Sequence, residues 1–179
     1  MKSIYKMIED LEAAGLSYSI GGSGLLNSLG LSTEMGDWDV FIDSNQNQVM
    51  DALKNWEIEE RPVHSHPFFR SKFLLGVKKA ESIPIEIIGY FQIKTDEGII
   101  PLPSIVHHRW ENLNVGHPVI WFVAYSLMGR TEKANLLRHY LERHPQNDDW
   151  ISFYLKMPIP QELKRTLLEL SNENLLKGC

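Results

Sequence analysis

Two aspartates, Asp37 and Asp39, stand two residues apart in Gly36-Asp-Trp-Asp-Val-Phe-Ile-Asp43. The apolar residues around them predict a strand over 38–42, which sends both carboxylates off one face, about 6.6 Å apart along the chain. Trp38 and Val40 then point to the opposite, core side. Carboxylates so placed can share a hard divalent cation such as Mg²⁺, which completes its octahedron with phosphate oxygens and water. Taken alone, Asp-x-Asp is equally the solvated end of an ordinary strand.

Just upstream, Gly21-Gly22-Ser23 ends an apolar stretch, Leu16 to Ile20, and opens a helix. Such a turn offers backbone N–H groups unobstructed by Cβ atoms, a helix start and a hydroxyl, all suited to phosphate. It is neither a Walker A loop, lacking Gly-Lys-Ser/Thr, nor the dinucleotide fingerprint. A third carboxylate, Glu86, sits in Ile83-Pro-Ile-Glu-Ile-Ile-Gly-Tyr90. On an interior strand it must pair with a cation, take up a proton or face solvent, because burying it unpaired is costly.

The apolar–Gly-Gly-Ser turn, the helix, the Asp-x-Asp strand and the later strand carboxylate together resemble the nucleotidyltransferase superfamily of DNA polymerase β. The form looks most like its small bacterial and archaeal members, including those of toxin–antitoxin and abortive-infection systems. The resemblance covers roughly residues 16–90. It implies two Mg²⁺ ions, or Mn²⁺, held by Asp37, Asp39 and Glu86, with triphosphate at Gly22 and Ser23. It also implies transfer of a nucleoside monophosphate from a nucleoside triphosphate to a hydroxyl of a small molecule, RNA or protein, pyrophosphate leaving. Arg70 and Lys72, two apart on an expected strand, would offset charge on the pyrophosphate or form an exposed pair. Leu127-Met-Gly-Arg-Thr-Glu-Lys133 resembles a basic segment that follows the catalytic domain in some members, though Arg130 reads equally as a helix end. Three features depart from the pattern: Trp38 replaces a small aliphatic, Gly36 replaces a Ser, Thr or Lys, and the helix after Ser23 carries no Arg or Lys. The other reading is a non-catalytic nucleotide-binding or antitoxin-like module that keeps the fold and acts on a partner protein.

The elements that must position these residues follow from periodicity. Ile4, Met7, Ile8, Leu11 and Ala14 predict a first helix ended by Gly15. Helices are expected over about 24–31 and 45–56, the latter capped by Ser44 or Asn45. Extended stretches are expected over 57–63, 68–77 and 83–93, with a short edge at 99–102. From Pro118 the pattern is helical: 118–128, 131–143, 148–156 and 160–170. The layout is α+β: a nucleotidyltransferase-like mixed β-sheet flanked by helices over 1–115, and a C-terminal helical region, 116–179, packed on it.

His64-Ser-His66 has ligand spacing and His107-His108 adds two imidazoles, but no HExxH-type signature accompanies them and Pro67 interrupts the strand. Trp110, Trp121, Phe122 and Tyr125 read as core between sheet and tail rather than a base-stacking platform.

Composition sets the outer limits. The chain has 179 residues, 43% hydrophobic, which is globular and ample for a core without a metal or disulfide staple. A net charge of −5 argues against a general nucleic-acid coat. That charge is uneven: residues 1–60 hold 11 acids against 3 bases, the remainder 12 against 15. No apolar run spans a membrane, and the amphipathic, acid-bearing start does not read as a secretory signal. The single cysteine, Cys179, leaves no intrachain disulfide, so a reducing, cytoplasmic setting is expected.

Overall fold

In the first helix, α1 (Lys2–Ala13), the residues Ile4, Met7, Ile8 and Leu11 are all buried on one face. Gly15, at φ +72°, lets the chain turn back, and the Leu16 N–H closes onto the Leu11 carbonyl at 3.0 Å. The computed structural model describes residues 2–63, 67–78, 83–144 and 149–177. His64 and His66 therefore lie outside the described residues, as does Cys179.

Four strands form the centre of the sheet: β1 (Tyr18–Ile20), β2 (Trp38–Ile42), β4 (Phe73–Val77) and β5 (Ile85–Gly89). With β3 (Ile58–Arg61), β8 (Val106–Trp110) and β9 (Leu113–Gly116) they complete a seven-stranded sheet in the order β3-β4-β5-β2-β1-β9-β8. β2 runs parallel to β5, and β1 parallel to β9; the other neighbours are antiparallel. The class is α+β with a mixed sheet, as expected. β6 (Gln92–Lys94) and β7 (Ile99–Pro101) form a separate two-stranded ribbon.

Each sheet face has its own core. On one side Trp38, Val40 and Ile42 of β2 pack with α1 and with Val49 and Leu53 at α3 (Gln46–Ala52). On the other, Phe41 and Ile88 join Leu25 and Leu26 of α2 (Gly22–Ser28) and the buried face of α4 (Pro118–Leu127). That second core continues through α5 (Thr131–Arg143), α6 (Asp149–Leu155) and α7 (Gln161–Lys177), so one apolar cluster joins sheet and helical region. None of the described helices is long and apolar enough to cross a membrane.

Local chemistry sets the boundaries. Asn45, not Ser44, caps α3, in a reciprocal capping box with Gln48. Pro118 takes the first turn of α4, where His117 Nδ1 accepts the Val119 N–H at 3.3 Å. The expected 83–93 stretch breaks at Tyr90, whose φ of +50° ends β5 before β6 begins. The hairpin β8–β9 lay in a region for which the periodicity predicted no element. Its two-residue turn, Glu111-Asn112, has both φ values positive (+47° and +66°), the conformation that matches strand twist.

Candidate active site

The strand pairing of β2 and β5 sets Asp39 beside Glu86 in register, and both leave the sheet toward α4. Asp37 precedes β2 by one residue; its carbonyl accepts the Ser23 hydroxyl at 3.1 Å, which ties the Gly-Gly-Ser turn to the start of the strand. Gly21 continues the pairing, its N–H donating to the Asp39 carbonyl at 3.0 Å. Gly22 then turns into α2 at φ +55° with its Cα pressed on the Asp39 carboxylate; a Cβ there would overlap Asp39 Oδ2. Gly21 is equally constrained, because a Cβ would run into the Trp121 and Phe41 rings.

These residues share one cavity of about 190 Å³ between the sheet and α4. Gly22, Ser23, Asp37, Asp39 and Glu86 line it, with Arg130 and Lys133 from the start of α5. Phe41, Phe69, Phe91, Trp121 and Tyr125 line the same cavity. The Asp39 carboxyl is pushed up to about 7, first by removal from water, then by the charges of Asp37 and Glu86; Arg130 and Lys133 offset this in part. Burial and the same aspartates push the Tyr125 phenol up as well.

Glu86 is ion-paired with Arg61 of β3. Arg61 reaches it across Gly76, where a Cβ would sit 2.5 Å from the Arg61 Cζ. Among the described residues, no three His, Cys, Asp or Glu side chains already close into a metal cage. The donor set nevertheless suits Mg²⁺ or Mn²⁺. Hard carboxylate oxygens face one cavity, and the Asp39 carboxyl resists ionisation beside two like charges, a penalty that a bound cation would cancel.

The two other expected site residues lie elsewhere. Arg70 bonds the Pro67 and Phe69 carbonyls at 3.1 and 2.6 Å and borders a separate depression with Lys94 and Glu97. Lys72 Nζ stands 4.0 Å from the centre of the Tyr90 ring. Neither is among the residues that line the cavity. Among the described residues, Arg130 and Lys133, three apart in the chain, are the cations that border it. Trp121 and Tyr125 are buried, as core residues would be, but they also wall the cavity. Their spacing of four residues was the available signal, since it sets both rings on one side of α4.

A mixed sheet that brings a Gly-Gly-Ser turn, an Asp-x-Asp strand and a neighbouring strand carboxylate onto one face is a nucleotidyltransferase-like fold. A candidate nucleotidyltransferase from Thermotoga maritima superposes with a TM-score of 0.57 at 18% identity, over 79% of this chain and 92% of that one. The antibiotic-resistance factor ANT(2'')-Ia, whose structure was determined in solution, gives a TM-score of 0.54 at 12% identity, over 77% and 82%. No protein-family model matches the sequence, and no curated protein does.

Proposed function

We propose that the protein is a divalent-metal-dependent nucleotidyltransferase that moves a nucleoside monophosphate from a nucleoside triphosphate to a hydroxyl acceptor. The observation that carries this reading is the cavity itself, where three carboxylates, the Gly22-Ser23 turn and two cations meet. Asp37, Asp39 and Glu86 would hold Mg²⁺ or Mn²⁺, which when bound neutralises phosphate charge and lowers the pKa of a coordinated hydroxyl. Gly22 presents bare backbone to the phosphates, and the Ser23 hydroxyl keeps the turn fixed to Asp37. Arg130 and Lys133 supply positive charge to the same cavity, the role for which Arg70 and Lys72 were expected. The acceptor oxygen forms a bond to the α-phosphorus as the bond to the pyrophosphate oxygen breaks. Its proton passes to a carboxylate of the site, and pyrophosphate leaves with the electron pair. Positioning and charge neutralisation do most of such work.

The test is incubation with each α-labelled nucleoside triphosphate, Mg²⁺ or Mn²⁺ and cell extract, beside an Asp37→Ala/Asp39→Ala control. Label transfer lost in the control supports the reading. Transfer that survives the double substitution refutes the site. Stabilisation by ATP–Mg²⁺ that depends on both aspartates, with no label on any component, would identify instead a nucleotide-binding module acting on a partner protein.

A further inference from the structure

We propose that Arg61 is a positioning residue of this site: it is the counter-ion that occupies Glu86 until a divalent ion takes that carboxylate over, and it thereby sets how tightly the ion is held. The proposal rests on the nucleotidyl-transfer reading for the role of the ion, while the ion pair itself stands on the fold.

The pairing is not one that adjacent strands give by default. Arg61 lies opposite Leu74 on β4, and Glu86 on β5 lies opposite Gly76, so the contact crosses an intervening strand and two residues of register. Two strand spacings are about 9.6 Å, which an arginine covers only by lying along the sheet surface. Gly76 clears that path, since a Cβ there would stand 2.5 Å from both Cζ and Nε of Arg61. A glycine inside a strand weakens it and marks the close approach of another group. Here that group is the guanidinium. Glu59, two residues before Arg61 and on the same face of β3, is the nearer carboxylate in sequence, yet the guanidinium reaches across to Glu86.

The bond takes one oxygen of a carboxylate that lines the cavity, while Arg61 is not itself among the lining residues. Arg61 therefore acts on the cavity through Glu86. The cations divide the work: Arg130 and Lys133 offset the charges around Asp39, and Arg61 serves Glu86. A guanidinium has the sign of a metal ion and holds lone pairs that the ion would use. At equal distance a divalent ion attracts a carboxylate twice as strongly, and it binds the oxygen directly. The ion replaces the guanidinium, with its net affinity reduced by the pair it breaks.

The probe is Mn²⁺ alone, without nucleotide, its free fraction counted by electron paramagnetic resonance. Gly76→Ala is the decisive variant, because its Cβ first meets the far end of Arg61 and so breaks the pair while the charge stays in the protein. Gly76→Ala and Arg61→Ala should each bind Mn²⁺ about 1.5- to fivefold more tightly than wild type, the worth of one partly exposed ion pair. With Glu86→Gln in place, Gly76→Ala should leave the affinity unchanged. Unchanged or weaker binding in both variants overturns the proposal. So does a gain in Arg61→Ala without one in a folded Gly76→Ala, which reports bulk charge, or a gain that persists beside Glu86→Gln. If Gly76→Ala fails to fold, Arg61→Ala and Arg61→Ala/Glu86→Gln decide in the same way. Asp37→Ala/Asp39→Ala separates this proposal from the reading beneath it. Mn²⁺ binding lost there, with no gain in Arg61→Ala, overturns the role of Arg61 and leaves nucleotidyl transfer standing. Mn²⁺ binding that survives there overturns the metal site, and the role of Arg61 with it.

Discussion

Replacing Gly22 by alanine separates two costs that the structure assigns to one position. Gly22 has φ +55°, where a residue with a Cβ loses about 1–2 kcal/mol. The added Cβ would also overlap Asp39 Oδ2 and stand 3.0 Å from Asp39 Cγ. Gly30 provides the comparison, with φ +69° and nothing within 4 Å of its Cβ position. Gly30→Ala should therefore show the backbone cost alone, a fall in melting temperature of roughly 2–8 °C for a chain of this size. Gly22→Ala adds the displacement of a carboxylate from its preferred rotamer, about 0.5–1.5 kcal/mol more. Gly22→Ala/Asp39→Ala removes the obstacle and should melt at or above Gly30→Ala, although it restores no transfer. Scanning calorimetry of the three variants, with and without ATP–Mg²⁺, is the assay. Gly30→Ala should keep the nucleotide-linked stabilisation, and Gly22→Ala should lose it. If Gly22→Ala melts with Gly30→Ala and still responds to ATP–Mg²⁺, Gly22 is not the contact that sets Asp39, and the reasoning fails.

Three further expectations concern the frame of the site. The His117 imidazole is held down to about 4, by burial and then by the His107 charge, and its neutral Nδ1 caps α4. The folded chain then binds fewer protons than the unfolded one between pH about 6.5 and 4, so stability should fall as pH drops through that window. His117→Asn keeps a capping acceptor without the titration; parallel melting curves against pH for the two proteins would refute this. Arg61→Ala leaves Glu86 without its ion pair. Both partners are partly exposed, so stability should change by less than about 1 kcal/mol, while less Mn²⁺ should be needed to stabilise the protein. An unchanged Mn²⁺ titration would count against Glu86 as a ligand. Tyr154 is fully buried and donates to the Pro101 carbonyl at 3.0 Å, joining α6 to the β7 ribbon. Tyr154→Phe should cost about 0.5–1.5 kcal/mol in chemical denaturation, and no measurable loss would mean that water replaces the bond.

How much of this was legible beforehand depended on whether the signal was local. The β2 strand was, because alternation of Trp38, Asp39, Val40 and Phe41 needs only the pleat to sort carboxylates from core. The close approach at Gly22 was legible only as a turn; that the turn rests on Asp39 depends on the β1–β2 pairing. Arg61 was invisible as a partner of Glu86, because the contact spans two strands and requires the gap left by Gly76. Arg70 and Lys72 precede β4, which begins only at Phe73, so they do not share the strand expected over 68–77; Arg70 turns to the Pro67 and Phe69 carbonyls and Lys72 to the Tyr90 ring. The hairpin β8–β9 escaped notice because His107, His108 and Arg109 mask the alternation of its first strand, and because Glu111-Asn112 lacks the glycine that usually marks such a turn.

The division of the sheet into two apolar faces has a consequence for how the gene can vary. Because β2 sends alternate residues to opposite cores, one codon inserted between Trp38 and Asp39 would, with Trp38 held in place, drive Asp39 into the packing of α1 and α3 and turn Val40 toward the cavity. Insertions in this segment are thus tolerable only in pairs or outside the strand. Substitutions among Ile4, Met7, Val49 and Leu53 drift behind an insulating layer, able to alter stability while leaving the carboxylates where they are.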